Sequence, residues 1–521
     1  MNIGFINIYP WRPHGFHAGF LEHQCNLLGY SSYFLECGIS FDTCVCSKLG
    51  YSAKIIPWAK CQVGKVSKYN NSKVSTISSK IPKDRLSKDE TIKSLLSSVL
   101  AYYREEIDLE YSSNSKIAQS VDYLTPNYLK AYYSTLDLID KKNLQALIVF
   151  NGRIDVTRAA IDAANFAKIN FITHDRPPMG HGIQINVNQN IIGLKDRAAM
   201  NQEFDDKPLT SRQAQLAGNE IAKRFLGKNF LEWRINNTTK KSSRWPTSTR
   251  DQKILIVPSS IFERTGHEDW ITPWKTATDG YDLFINSIGA KKDQIVVRFH
   301  PQWVQKKGKI TGKRSHQHYV NWCQNNSYHY IDSHEQTSTL DLIDKCDVLV
   351  VNDSTAQVEA GSLRKKIVNL GPSGKNGSKF FESLETLESI DKFNGFDGWM
   401  PKEQIIRKTL RYVYTSLARY PQYFDYVRGL STTNCAAYEG ADPERLEKML
   451  MTGHIKADDE IVGSINEENE VVNLISNQSW EKLIQLSSKI QSISKVQLNL
   501  SRGFPYSIID NARNYMKRGD F

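Results

Sequence analysis

Two short stretches in the second half of the chain combine residue types that hold a phosphate or a base. The run Gln294 to Phe299 is apolar enough for a buried strand and stops at His300-Pro301. Proline fixes the backbone and removes a donor, so it ends a strand. In an open parallel sheet, ligands sit beyond the strands' carboxyl ends. His300 there offers ring nitrogens to a base or phosphate; the plainer reading is a strand stop with an incidental His. A second run, Asp347 to Val351, leads into Asn352-Asp353-Ser354-Thr355 and then the helical pattern Thr355 to Leu363. A Ser or Thr at that point caps a helix. The same geometry turns a hydroxyl and backbone N–H groups toward an anion, which the helix dipole favours. Glu359, one turn into the helix, is placed to accept hydrogen bonds from a ribose. Together the two strand ends make a two-point holder for a nucleotide.

Group transfer from such a nucleotide requires a carboxylate or His across the cleft to take the acceptor's proton. Loops after the early strands supply the candidates: His14 and His17 after the first, Asp155 after Asn151-Gly152-Arg153, and Asp175 between His174 and Arg176. Asp175 is the preferred base, because it ends a strand between ionisable neighbours; an Asp175–Arg176 ion pair beside Pro177-Pro178 is the structural alternative. Asn151, Arg153 and Arg176 fall on the acceptor side. Charge on the leaving phosphate must be neutralised, and Arg264, after the strand Lys253 to Val257, suits that role. The basic run Lys306, Lys307, Lys309, Lys313 and Arg314 either assists or is a solvated loop. No metal-ligand spacing occurs, and no D-x-D sequence is evident.

The elements that must position these groups are legible as alternating apolar runs and helical stretches, which imply parallel sheets in α/β lobes. Ile3 to Ile8, a strand near Tyr33, Leu144 to Phe150 and Asn170 to Thr173 build a first lobe over residues 1–245, with a helical insertion near 60–140 that opens with a Ser/Lys-rich loop. The polar segment 234–252 reads as a linker. Strands at Lys253 to Val257, Gln294 to Phe299, Tyr328 to Ile331, Asp347 to Val351 and Lys366 to Leu370 build a second lobe over 250–400, and 401–521 reads as a helical region. Leu483, Leu486, Ile490 and Ile493 form a stripe suited to core packing or lobe docking, with contact at a membrane surface as the alternative.

Composition narrows the class. The chain has 521 residues, a formal charge of +11 and eight scattered cysteines, which fit a reduced globular protein rather than a disulfide framework. Without an Arg-rich block or zinc-finger spacing, nucleic-acid binding is not expected. No G-x-x-x-x-G-K-S/T, G-x-G-x-x-G, H-E-x-x-H or G-x-S-x-G appears, which excludes P-loop, dinucleotide, zincin and α/β-hydrolase readings. The N-terminus lacks a signal-peptide pattern, and no apolar run approaches the ~20 residues of a membrane span. A cytoplasmic protein, with peripheral contact at the inner membrane as a further option, is expected.

The His300-Pro301 and Ser354-Thr355 pair resembles the HP and S-S/T motifs of GT-B transferases that use CMP-activated sugars. VVNDSTAQVEAGSLRKKIVNLG looks most like capsule polysaccharide synthesis proteins of the Kdo-transferase type, and FNGRIDVTRAAIDAA followed by THDRPP is similar to an N-lobe pattern in surface-polysaccharide proteins. The likeness covers residues 144–178 and 253–372. It implies two Rossmann-like lobes facing a cleft, and a glycosyltransferase passing Kdo or a related acid sugar to a glycan or glycolipid acceptor, with no metal and no cofactor beyond the nucleotide-sugar. By this resemblance His300 and Pro301 contact the cytidine or phosphate, Ser354 and Thr355 the phosphate, and Glu359 the ribose. The chain departs from the pattern in Asp353, an acid beside the expected phosphate, and in lacking the Asp/Glu-Asp-Gly motif of several sialyltransferases. A CDP-glycerol-type phosphotransferase, a UDP- or GDP-sugar transferase, and a non-catalytic polysaccharide assembly protein are the rival readings.

Overall fold

The computed structural model describes residues 1–6, 8–9, 13–37, 41, 73–78, 80–82, 86–103, 116–229, 245–260, 264, 266–300, 303, 312–488, 495–500 and 507–508. Pro301, most of the linker, and Lys306, Lys307, Lys309, Ile490 and Ile493 lie outside the described residues.

Two six-stranded sheets organise the chain. The first holds β1 (Asn2–Ile6), β2 (Ser31–Glu36), β3 (Lys73–Thr76), β4 (Ala146–Phe150), β5 (Asn170–Asp175) and β6 (Gln184–Val187) in the order β3-β2-β1-β4-β5-β6. All pairs are parallel except β5 with β6. The second holds β7 (Ile254–Val257), β8 (Ile295–Arg298), β9 (His329–Ile331), β10 (Val348–Val351), β11 (Lys366–Leu370) and β12 (Glu382–Leu384), all parallel, in the order β12-β11-β10-β7-β8-β9. Each lobe therefore has the Rossmann order, which reverses between β1 and β4 and again between β7 and β10. Such a reversal opens a crevice at the carboxyl ends of the two central strands.

Apolar runs such as ILIV and VLVV, buried along their whole length, dictate this arrangement, because a parallel sheet carries helices on both faces and needs strands apolar on both sides. The second sheet separates one core around Ile256, Tyr281, Val297 and Val350 from another around Leu255, Leu342, Leu349 and Ala360. On the first sheet, one face is covered by helices Lys88–Tyr103 and Lys116–Lys142 through Leu95, Leu124, Tyr128 and Tyr132. The opposite face, at Ile3, Phe5 and Phe34, is covered partly by residues from far down the chain: Tyr423, Val427, Leu446 and Met449. The C-terminal region thus returns across the first lobe after completing the second, which makes the molecule a GT-B architecture.

The same region differs from a purely helical brace. It contains a small antiparallel sheet of Val427–Gly429, Cys435–Tyr438 and Gln497–Leu498, because strand-length apolar segments there are interrupted by Gly and Asn before a helix can propagate. Lys73–Thr76, inside the stretch read as a loop, forms the edge strand β3; its polar residues suit an edge that is open on one side. Leu483 is buried among Ala214, Ala217 and Ile221 of helix Ser211–Phe225, which is the docking arrangement. Among the described residues no helix is long and apolar enough to cross a membrane.

Candidate functional site

At the reversal point of the second lobe, β7 and β10 run in register, with Val257 beside Val351, so the chains leave the sheet side by side. Asn352 caps this exit: its Oδ1 accepts the Ser259 backbone N–H at 2.8 Å and the Tyr281 hydroxyl at 3.0 Å. The next residue, Asp353, has φ +58°. Asp tolerates this left-handed conformation better than most side chains, and the Asn369 side chain secures it by accepting the Asp353 N–H at 2.6 Å. Three groups converge on the Asp353 carboxylate: Arg264 Nη1 at 3.0 Å, Lys375 Nζ at 2.8 Å and Ser373 Oγ at 2.7 Å. Burial alone would raise this carboxyl's pKa, but Lys375 and then Arg264 outweigh it and hold the group well below its ordinary value. The acid beside the expected phosphate is thus neutralised, and one positive charge remains in excess.

Sequence reasoning missed Lys375 and Ser373. They sit in the loop Gly371 to Ser378, directly after β11, the strand next to β10. The signal was a Gly-, Ser- and Lys-containing loop at another strand's carboxyl end. His300 follows β8, on the other side of β7. It is half-buried, its carbonyl accepts from Ser333 Oγ at 2.9 Å, and its ring lies 6.2 Å from that of Trp303. His300 and Ser354 therefore share one edge of the sheet with a single strand between them, roughly 10 Å at the usual strand spacing. Ser354 is half-buried and Thr355 exposed. The Ser354 Oγ, not Thr355, bonds to the helix start, accepting from Ala356 N at 3.2 Å. Glu359 is placed differently from a ribose ligand. It is 2 % exposed, and its Oε1 accepts from Arg224 Nε and Nη2 at 2.9 and 2.7 Å, so the carboxylate is committed to an ion pair in the interior.

The first lobe brings its candidates to the corresponding edge. Asn151 and Gly152 both take positive φ, so the chain turns sharply off β4, and a Cβ at Gly152 would meet Thr173 Cγ2 at 2.8 Å. The turn aims Asn151 Nδ2 at Asp175 Oδ2, 2.8 Å away on β5. His14, opening the helix after β1, sets its Nδ1 3.2 Å from Asp175 Oδ1, and the Arg176 N–H donates to the same oxygen at 2.7 Å. Asp175 thus joins His14 and Asn151. The rings of His17 and His174 stand 6.4 Å apart, and those of His14 and His17 6.2 Å. Burial lowers the His14 pKa, and Arg176 adds to this against the pull of Asp175. His174 falls to about 3 through burial and His14. These imidazoles are neutral at pH 7. Arg176 is buried and its charge acts on His14 and His17, whereas Arg153, also buried, acts on His267.

Asp155 is not at this edge in an accessible form. It starts helix Asp155–Ala167 with 1 % exposure and accepts the Tyr9 hydroxyl at 2.8 Å. Burial, offset in part by that bond, raises its pKa to about 6. Enclosed in this way, it supports the loop after β1 instead of reaching a ligand. Among the described residues, no group of three or more His, Cys, Asp or Glu side chains is arranged to hold a metal ion.

The two edges meet where helix Lys195–Phe204 leaves the first lobe. Asn201 Nδ2 donates to the carbonyls of Gly374 and Asn376 at 3.3 and 3.0 Å, and the Leu194 N–H donates to Asp269 Oδ2 at 2.9 Å.

Two Rossmann lobes, each with its polar and charged side chains gathered beyond its central strands, define a two-lobed α/β protein. No protein-family profile and no curated relative matches the sequence. Solved structures with partial likeness include the KpsC beta Kdo 2,4 transferase of Thermosulfurimonas dismutans (TM-score 0.32, 11 % identity, 64 % of this chain and 88 % of that one). The beta Kdo 2,7 transferase of the same KpsC gives 0.32 and 13 %, over 67 % and 95 %. The UDP-GlcNAc 2-epimerase of Neisseria meningitidis gives 0.29 and 12 %, over 80 % and 97 %. These scores lie below 0.5, and the chemistry of the site rests on this chain's own residues.

Proposed function

We propose that the protein is a glycosyltransferase that binds a nucleotide-sugar on the second lobe and an acceptor glycan on the first, with a CMP-activated acid sugar of the Kdo type as donor. The supporting observation is the cluster of Arg264, Lys375 and Asp353 at the reversal point of the second sheet, with one cation in excess. Charge that develops on a leaving phosphate is best stabilised by donors fixed beforehand in a partly desolvated site. Asp353 fixes both cations and leaves one net charge for the phosphate. His300 and Ser354, at the neighbouring strand ends, hold the nucleoside and phosphate. Across the cleft the Asp175–His14 pair takes the acceptor hydroxyl's proton: a carboxylate beside a neutral imidazole is a general-base arrangement, with Asn151 fixing the carboxylate's second oxygen. Arg153 and Arg176 favour an acceptor that carries negative charge.

The test is calorimetric titration with CMP, CDP, UDP and GDP, followed by mass spectrometry of nucleotide released from a panel of nucleotide-sugars. Tightest binding of CMP and release of CMP are expected. A preference for UDP or GDP ends the CMP assignment. Surface-polysaccharide production unchanged by His300→Ala and Ser354→Ala ends the catalytic one.

A further inference from the structure

The two half-sites are joined by an unbroken series of contacts. On the first lobe the loop 189–194 is stitched to β5, to β6 and to the turn after β4. Thr173 Oγ1 donates to Gln189 O at 2.8 Å, Gln184 Nε2 to Ile191 O at 2.9 Å, and the Ile191 N–H to Asn151 O at 2.9 Å. Asn151 is the residue whose side chain holds Asp175. From the second lobe, the short turn Glu268–Trp270 reaches this loop at two points: Asp269 accepts from Leu194 N, and Trp270 Nε1 donates to Ile192 O at 2.9 Å. The Trp270 indole is at the same time a platform for Arg264, whose guanidinium carbon lies 4.7 Å from the ring centroid. Arg264 then pairs with Asp353. One side chain therefore touches the donor-side cation with its face and the acceptor-side loop with its edge. A cation over an indole face is held by the ring's quadrupole, and the attraction depends on ring orientation. A rotation that breaks the N–H bond to Ile192 therefore also unseats Arg264.

We infer that Trp270 is the positioning residue that couples the two half-sites, so that an anion engaging Arg264 tightens the loop 189–194 and with it Asn151 and Asp175. This deepens the donor and acceptor roles proposed above and rests on them. Trp270 is seated by both sites, so a change at either one can bias its orientation.

Hydrogen exchange tests this in the full chain. In the ligand-free protein, Trp270→Phe keeps an aromatic face but loses the indole donor, and Arg264→Ala removes the stacked cation. Each is expected to speed exchange of amides 190–194 about three- to tenfold, the effect of losing roughly one net hydrogen bond. The double variant should exchange no faster than either single one, with amides 146–150 of β4 as the folding control. Wild-type exchange at 190–194 in Arg264→Ala, or additive effects in the double variant, overturns the relay. With CMP as probe, the wild type should gain protection at both 371–377 and 190–194, and Trp270→Phe only at 371–377. Protection of 190–194 that persists in Trp270→Phe also overturns it. If no nucleotide protects 371–377 in the wild type, the donor-site reading fails, and the ligand-free comparison alone decides the relay. In turnover, Trp270→Phe should lower kcat/KM about tenfold, and the double variant should be no slower than Arg264→Ala alone. Independent, multiplying losses would overturn the relay.

Discussion

At Lys375 a single side chain decides the sign of the proposed donor site. Removing its ammonium leaves Arg264 alone against Asp353, and the excess positive charge disappears. Lys375→Met is therefore expected to lower kcat/KM for the nucleotide-sugar by about 10²- to 10³-fold, the usual effect of losing one preorganised charge partner. Adding Asp353→Asn leaves Arg264 unopposed, which returns the excess positive charge and should restore part of the lost turnover. CMP affinity unchanged in Lys375→Met would remove the lysine from the site. Asp155 makes a different residue-scale prediction. Its folded pKa of about 6 lies above the ordinary 3.8, so between these values the folded state binds more protons than the unfolded one, and stability falls as pH rises through that window. The full difference corresponds to about 3 kcal/mol at neutral pH. Asp155→Asn, which keeps an acceptor for Tyr9, should flatten the denaturation midpoint between pH 4 and 6 and exceed the wild type above pH 7. An unchanged pH profile would mean that the carboxyl is not desolvated as described.

Among elements, the loop after β11 shows how backbone shape carries the interface between lobes. Gly377 has φ +90°, and a Cβ there would sit 2.2 Å from Ala198 O and 2.7 Å from Gln202 N of helix Lys195–Phe204. Both obstacles are backbone atoms that cannot rotate away. Gly377→Ala should thus cost about 1–3 kcal/mol, read by equilibrium denaturation, and should weaken CMP binding because Lys375 rides on the same loop; wild-type stability would show that the loop is free to shift. This loop also marks what the sequence can and cannot announce. β7, β8, β10 and β11 match their expected spans to within about a residue because apolar residues dominate each of them between polar flanks. β3 and β12 escaped because edge strands need apolar residues on one side at most and are three or four residues long. His300, Asp353 and Asp175 were visible because they end such runs. Lys375 and Ser373 were not, since a turn of Pro, Ser, Gly and Lys looks the same whether it faces solvent or a cluster. Glu359 misled because helical spacing tells which face a residue occupies but not what covers it, and its cover is Arg224 from 135 positions away.

For the whole molecule, the question is what keeps two lobes with separate cores in one register. Helix Ile465–Ser476 contributes Glu468, whose side chain is wholly buried. Its carboxylate is held bidentately by Arg411 at 2.9 Å, by Arg407 at 3.1 Å, and by the backbone N–H of Leu209 at 2.9 Å, where the chain crosses from the first lobe. In the sequence INEENEVVNL it looks like any solvated acidic helix face; only the return of the C-terminal region encloses it. Burying these charges is expensive, so the cluster is weak evidence for net stability, but breaking it from one side strands Arg411 in the interior. Glu468→Ala should therefore destabilise by about 3–5 kcal/mol. Glu403→Ala removes the other carboxylate on Arg407, which is 64 % exposed, and should cost at most about 1 kcal/mol. Hydrogen exchange separates a local defect from a loss of register: in Glu468→Ala the amide of Leu209 and the loop 371–377 should open together, while β1 and β4 keep their protection. Equal effects of the two substitutions would show that Glu468 is solvated and that the lobes are held together by apolar contact alone.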